Sequence, residues 1–332
     1  MRLPVILAVS VPFLAGTVVA QMSVKVQDDR IHVDLKGQPY TDFIFKGGEA
    51  MKPYLYPLRA PSGTIVTRRF PIEKAEGEPT DHPHHRGLFF AHANVNGIDF
   101  WNNETSYKSP PPRGRIAFEK LLKSSGGKSA TISVQLGWVD PDGKKILEET
   151  RTTYLMAGKS ANDTDVVIQL KALVPVVFGD EKDGTFGLRL DPALNEDKNI
   201  KENGVTRTYP GTPGVIANAE GAQHEKAVWG KPSNWVDYSG EINGQKLGVA
   251  IFDYPGNSRP ARWHVRAYGL FAANPFGLAA FTNDKTQDGS VKLAPGESLH
   301  FAYRVVVHDG DAKSAGLAKQ WDDFAKMTVK FP

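Results

Sequence analysis

The chain has 332 residues, 40 lysines and arginines against 37 aspartates and glutamates, a formal net charge of +3, and no cysteine. That balance, with no block of like charge and no basic stripe, argues against nucleic acid or a membrane surface as partner. The missing cysteines exclude disulfides, thiolate catalysis, cysteine-ligated zinc and an acylated lipoprotein cysteine.

Taken in chain order, residues 1–20 read as a secretory signal peptide. Arg2 is the charged start, "PVILAVSVPFLAGTVVA" is the apolar run, and Val18 and Ala20 place the cut after Ala20. The run is short for a membrane span and holds two prolines. Export to a periplasm or to the outside is therefore expected, with no membrane contact after cleavage, and a chain without cysteine suits a bacterial periplasm. Residues 21–332 are expected to form a single domain.

The alternation of strands begins at once. "SVKVQDDRIHVDL" places Val24 and Val26, then Ile31, Val33 and Leu35, about a turn at Asp28–Asp29. Residues 71–115 lack such runs. "TISVQLGW" and "KILEETRTTYLM" flank the turn "DPDG", and "DVVIQLKAL" follows. Residues 178–235 are again irregular, and long irregular stretches in a β-domain are often functional loops. "GQKLGVAIFDY", "RWHVRAY" and "ESLHFAYRVVVHD" complete the strands. In "DAKSAGLAKQWDDFAKM", Leu317, Trp321 and Phe324 fall at helical spacing, with Asp311 as N-cap. Gly (32) and Pro (23) lie between the runs, as antiparallel sheets need at their turns. The pattern predicts an all-β fold, a large antiparallel β-supersandwich with a short C-terminal helix.

Chemistry concentrates in two places. "DHPHHRGLFFAHANVNGIDFW" (81–101) holds four of the nine histidines, His82, His84, His85 and His92. Pro83 rules out a helix interior and favours extended geometry before it. An extended stretch puts His82, His84 and Arg86 on one side and Asp81 and His85 on the other. His-x-His on a strand can bind zinc, iron or manganese, but Arg86 on the same side repels a cation. The alternatives are acid–base chemistry, with Arg86 holding an anionic or hydroxyl group, and histidines that merely bond loop backbone. Asn96–Gly97 is a tight-turn signal that brings Trp101 back toward Phe89 and Phe90, as core or as a sugar platform.

The second place is "DYPGNSRPARWHVRAYGLFAANPFG" (253–277). A strand over "RWHVRAY" sets His264, Arg266 and Tyr268 on one face and Trp263 on the other. "NPFG", with Asn274, is a turn at the rim, and Asp237 in "SNWVDYSG" is a candidate to orient a histidine. There is no Walker loop, no G-x-G-x-x-G after a strand and no G-x-S-x-G elbow, which argues against nucleotide chemistry and serine hydrolysis.

"DHPHHRGLFF…VNGIDFW", "WVDYSG", "IFDYPGN…WHVRAYGLFAANPFG" and the closing "YRVVVHDG" resemble, over about residues 20–320, a bacterial family of exported proteins labelled "methane oxygenase PmoA". The methane monooxygenase subunit itself spans the membrane many times, so the label misdescribes a chain without such helices. The resemblance implies a fold similar to the galactose-mutarotase-type supersandwich, which presents histidines, an arginine and a carboxylate to a sugar on a concave sheet face. Fold alone does not give function. The expectation is nevertheless a carbohydrate-active protein of epimerase, lyase or hydrolase type. His84, His85 and His264 are the proton-exchanging candidates and Asp237 their orienter. Arg86, Arg266, Tyr268 and Asn274 are the binding candidates, with Trp101 or Trp263 to stack on the sugar. No metal or cofactor is expected. A non-catalytic sugar-binding module and a metal enzyme using His82 and His84 are the rival readings.

Overall fold

The computed structural model describes residues 21–107, 111–202 and 204–331; the expected signal peptide lies outside them. Two eight-stranded sheets make up the fold, and every strand pairing within them is antiparallel. In spatial order the first sheet runs Met22–Val26, Arg30–Leu35, Gln38–Ile44, Tyr54–Tyr56, Leu88–His92, Gly184–Arg189, Leu270–Asn274 and Arg262–Val265. The second runs Val215–Asn218, Trp235–Ile242, Gln245–Asp253, Ser298–Asp309, Ala161–Ala172, Lys145–Ala157, Ser129–Val139 and Arg115–Ser125. The all-β supersandwich expected from the sequence is the fold found. Among the described residues, no helix is long and apolar enough to cross a membrane.

Strand alternation decides which residues meet between the sheets. Successive side chains point to opposite faces, so Leu88 and Phe90 share one face of their strand and Phe89 the other. Phe90 meets Trp138 (6.2 Å) and Phe301 (6.0 Å) of the second sheet, and Phe186 stacks on Tyr303 at 4.5 Å. These rings, with Leu188, Trp263, Val265 and Phe271, form the sealed interior. Burying such aromatic surface is the main stabilising contribution of the contact between the sheets.

The opposite face of the first sheet has a different character. Register carries Arg30, Asp42, Tyr54, Tyr56, Phe89, Gly187, Arg189 and His264 onto it. This outer face is polar and aromatic across its width, while its inner face is apolar.

The C-terminal helix forms over Leu317–Ala325. Leu317 and Phe324 cover Trp235, Ala250, Phe252 and Val306 on the outside of the second sheet. Its N-cap is Gly316, not Asp311. Asp311 instead accepts a hydrogen bond from the Ser314 N–H (2.7 Å) and closes the turn before the helix.

Candidate functional site

Residues 81–87 do not extend; they turn. The His85 N–H donates to the His82 carbonyl at 3.0 Å, with Pro83 as the second residue of the turn. Proline presets the dihedral that this position needs. His82 takes a positive φ of 45°, which extended geometry does not provide. The alternation expected here is thereby overturned. All three histidines converge, with ring centroids 5.7 Å (His82–His84), 5.0 Å (His82–His85) and 4.2 Å (His84–His85) apart. Arg86 leaves the group instead of sharing a side with His82 and His84. Its guanidinium makes two bonds to the Glu104 carboxylate, at 3.1 and 2.6 Å.

Two arginines that the sequence reading passed over hold the turn. Arg68, buried, donates to the Asp81 and His82 carbonyls (2.7 and 2.8 Å), to the His85 carbonyl (3.2 Å) and to the Asp81 carboxylate (2.8 Å). Arg189, also buried, donates to both Asp81 carboxylate oxygens (2.9 and 3.0 Å) and to His85 Nδ1 (3.3 Å). Burial pushes Asp81 up, but the His82 hydrogen bond and the Arg189 and Arg68 charges prevail and hold it below the usual carboxylate range. Burial brings Arg68 down to about 9, with the Arg189 charge adding to the effect.

Burial, then neighbouring positive charge, pushes both His84 and His85 well below the ordinary imidazole value. His84 Nδ1 lies 2.9 Å from the Tyr107 hydroxyl. Among the described residues, no hydrogen bond to Nε2 of His84 or of His85 is found; both residues are buried, His84 at 5% exposure and His85 at 2%. His82 is bonded through Nδ1 to Asp81 and stands partly exposed.

Phe89, His85, His82 and Tyr268 stack in one column, with interplanar angles of 16°, 2° and 8°. Tyr268 in turn lies over Arg189 at 4.7 Å. The two sequence constellations do meet here, through Tyr268 and not through His264. The strand over "RWHVRAY" ends at Val265, and a turn closed by Gly269 N–H to the Arg266 carbonyl swings Tyr268 toward the turn at 81–87.

His264 lies on the same outer face but elsewhere. Register places it three inter-strand spacings from Phe89, or ~14 Å at about 4.8 Å each. Its Nδ1 donates to the Lys182 carbonyl at 2.9 Å, and burial pulls it down to about 4. It is therefore not a partner of His84 and His85.

Asp237 is farther still. It belongs to the second sheet, is fully buried, and bonds His308 Nε2 at 2.9 Å. His308 Nδ1 donates to the Asp309 carbonyl, so no nitrogen is left to serve a nucleophile. Trp263 is wholly buried, its indole N–H bonded to the Ser233 carbonyl, and cannot stack on a ligand. Trp101 is likewise buried against Phe89 at 4.8 Å. Asn274 is consumed by the Glu181 and Lys182 carbonyls. Arg266 pairs with Glu225 at 2.9 Å and remains half-buried near Tyr268.

A cleft of about 470 Å³ opens on the outer face, lined by Arg30, Asp42, Lys46, Tyr54, Tyr56 and Arg86; of the turn 81–87 only Arg86 reaches it. Its charges alternate in sign and two phenol rings line it, which suits a neutral, hydroxyl-rich ligand. Among the described residues, no group of three or more His, Asp or Glu side chains is placed to hold a metal ion.

Comparison with known proteins bears on the fold. The signature of a family of unknown function (DUF6807) matches residues 30–322. The chain belongs to this family. The DUF6807 description carries no methane-oxygenase name. No curated protein matches the sequence. Among solved structures the chain is similar to a galactose mutarotase-like protein from Clostridium acetobutylicum (9% identity, TM-score 0.41, 87% of this chain and 98% of that chain). It is similar to another from Lactobacillus casei (9%, 0.35, 86% and 100%). It is also similar to a GH36 alpha-galactosidase from Geobacillus stearothermophilus (12%, 0.42, 88% and 42%), of which it spans less than half the length.

Proposed function

We propose that this is an exported protein that moves protons on a carbohydrate, with its site at the His82–His84–His85 turn and the adjoining cleft. The observation that carries the reading is the state of His84 and His85. Burial and nearby positive charge favour the neutral ring in both, both have Nδ1 engaged inside the protein, and neither Nε2 has a hydrogen-bond partner among the described residues. A neutral imidazole with one free nitrogen is the form that exchanges a proton near pH 7. Tyr54, Tyr56 and Arg86 in the cleft would contact ring faces and hydroxyls.

Epimerase- or lyase-type chemistry fits better than hydrolysis. Glycosidases need two carboxylates free to act as acid and as base or nucleophile. Beside the cluster Asp81 is committed to Arg68 and Arg189, and Glu104 to Arg86; in the cleft Asp29 and Asp42 are committed to Arg30, which leaves Glu73 as a single candidate carboxylate.

The test incubates the purified mature protein in D₂O with a panel of aldoses and uronic acids. Proton NMR follows anomeric exchange, solvent-deuterium incorporation and unsaturated products. Turnover that disappears in His84→Ala and persists in His264→Ala supports the assignment. Turnover that survives His84→Ala removes it. Glycan binding by calorimetry without turnover in any assay favours a binding module.

A further inference from the structure

We propose that Arg189 divides the labour of the two buried histidines, fixing His85 as a permanent N–H donor and leaving His84 as the residue that exchanges the proton. The argument rests on the acid–base reading of the cluster, but its first step is purely geometric. A guanidinium has donors and no acceptor. Its 3.3 Å contact with His85 Nδ1 is a hydrogen bond only if that nitrogen is bare. A neutral imidazole with Nδ1 bare carries its proton on Nε2, the nitrogen for which no hydrogen-bond partner is found among the described residues. The partner of His84 is different in kind. A tyrosine hydroxyl accepts as well as donates, so the Tyr107 bond allows Nδ1–H and a bare Nε2 on His84.

The surroundings of His85 hold it in that state. Arg189 faces it from the strand Gly184–Arg189, and Arg68 reaches its carbonyl from the loop beneath. His82 stacks on it and His84 stands edge-on. Phe89 and Trp101 complete the enclosure. Arg189, Arg68 and His82 disfavour a second proton on His85, and Lys52, His82, Arg68 and Arg189 disfavour one on His84. What separates the two rings is therefore the partner of Nδ1, a donor-only guanidinium for His85 and a hydroxyl that can accept for His84.

In a reaction at this site His84 Nε2 would take a proton from the substrate and become an imidazolium whose Nδ1–H is held by Tyr107. The electron pair left behind would pass to the substrate oxygen, where the charge develops. His85 Nε2–H would donate a hydrogen bond to that oxygen without giving up its proton. His84 would then return its proton, and nothing is oxidised or reduced. A neutral imidazole that donates an N–H can serve as such an electrophile. Preorganised donors of this type are effective because they need no reorganisation as the charge forms. Arg189 is thus a positioning residue that acts through His85.

The experiment is nitrogen NMR of the ¹⁵N-histidine-labelled protein at pH 7 with no ligand, His85 being assigned by its loss in His85→Gln. The expected result is a bare Nδ1 and a protonated Nε2 on His85, and a change of that pattern in Arg189→Met. A bare Nε2 or a doubly protonated ring on His85 overturns the proposal. If Arg189→Met fails to fold, the wild-type spectrum decides alone. Once a substrate is in hand, His85→Ala lowers kcat by about 10²–10³, the usual cost of one such donor. His85→Gln, which keeps an N–H, recovers part of that loss, and His84→Gln recovers none. Equal inactivity of His85→Gln and His84→Gln overturns the division. A wild-type protein with the expected His85 spectrum but no sugar turnover would sink the carbohydrate reading and leave the tautomer assignment standing.

Discussion

Gly187 shows how closely the outer face is built around the cluster. A Cβ there would lie 2.8 Å from both Phe89 Cζ and Trp101 Cη2. Glycine at this position lets the Trp101 loop lie flat on the sheet and back the imidazole of His85. Gly187→Val should destabilise the protein by about 1–3 kcal/mol, the usual range for overpacking, read as a lower urea midpoint at unchanged slope. An unchanged midpoint would mean that the loop does not pack as described. Asp237 and His308 make the opposite kind of site, a buried pair with nothing apolar to replace it. Removing one partner strands the other charge, so Asp237→Ala should cost on the order of 3–5 kcal/mol. Because the pair lies in the second sheet, NMR signals of the 81–87 turn should not move in that variant. Movement there would couple the two sheets in a way the contacts do not show.

At the scale of elements, the turn at 81–87 depends on Arg68 more than on its own sequence. Arg68→Met removes the bonds to the carbonyls of Asp81, His82 and His85. The amide of His85, bonded to His82, should then exchange rapidly in a hydrogen–deuterium measurement, while the strand Leu88–His92 stays protected. If His85 remained as protected as before, the arginine would not be what anchors the turn. This dependence also explains what the sequence did and did not reveal. Pro83 was read as keeping the preceding residue extended, a local preference. The observed turn is imposed by two guanidiniums from outside it, Arg68 of a loop and Arg189 of the strand Gly184–Arg189, which no local rule reports. "TFGLRL" (185–190) carries a usable signal inside the irregular stretch 178–235, because its alternation sets Arg189 on the face opposite Phe186 and Leu188. His264 and Asp237 were grouped with the cluster on residue type alone. Their separation follows from strand order, which a single sequence does not contain.

For the molecule as a whole, the long alternating runs made the fold class legible. "TISVQLGW", "DVVIQLKAL" and "ESLHFAYRVVVHD" all became strands of the second sheet. The first sheet was harder to read because its outer face is chemical and its strands are short. The buried histidines also give the molecule a pH signature. His92 is brought down to about 4 by burial, His264 likewise to about 4, and His84 and His85 are lowered well below 6.5. A group with a depressed folded value binds more protons when unfolded, so it favours unfolding as pH falls below about 6.5. His92 alone would withdraw about 2 kcal/mol between neutral pH and pH 5. His32 and His308 oppose the trend, because burial lowers them but their aspartates raise them further. His300 is lowered as well, so five lowered histidines stand against His32, His308 and Asp253, whose carboxyl burial raises to about 7 and which therefore favours the folded state as pH falls from 7. With that carboxyl removed in Asp253→Asn, the Tm should drop from pH 7 to pH 5; a flat or rising Tm in that variant would contradict the lowered values of the buried histidines.

The Asp81–Arg189 contact closes a span of 108 positions along the chain. Contacts of such separation form slowly, since loop closure precedes any energetic return. After dilution from denaturant, the hairpins of the second sheet can assemble from neighbouring segments, whereas the stacked column must join Phe89, His85 and His82 to the distant Tyr268. Part of the far-ultraviolet signal should therefore recover before any function of the turn does, leaving a kinetic interval in which those hairpins exist and the site does not.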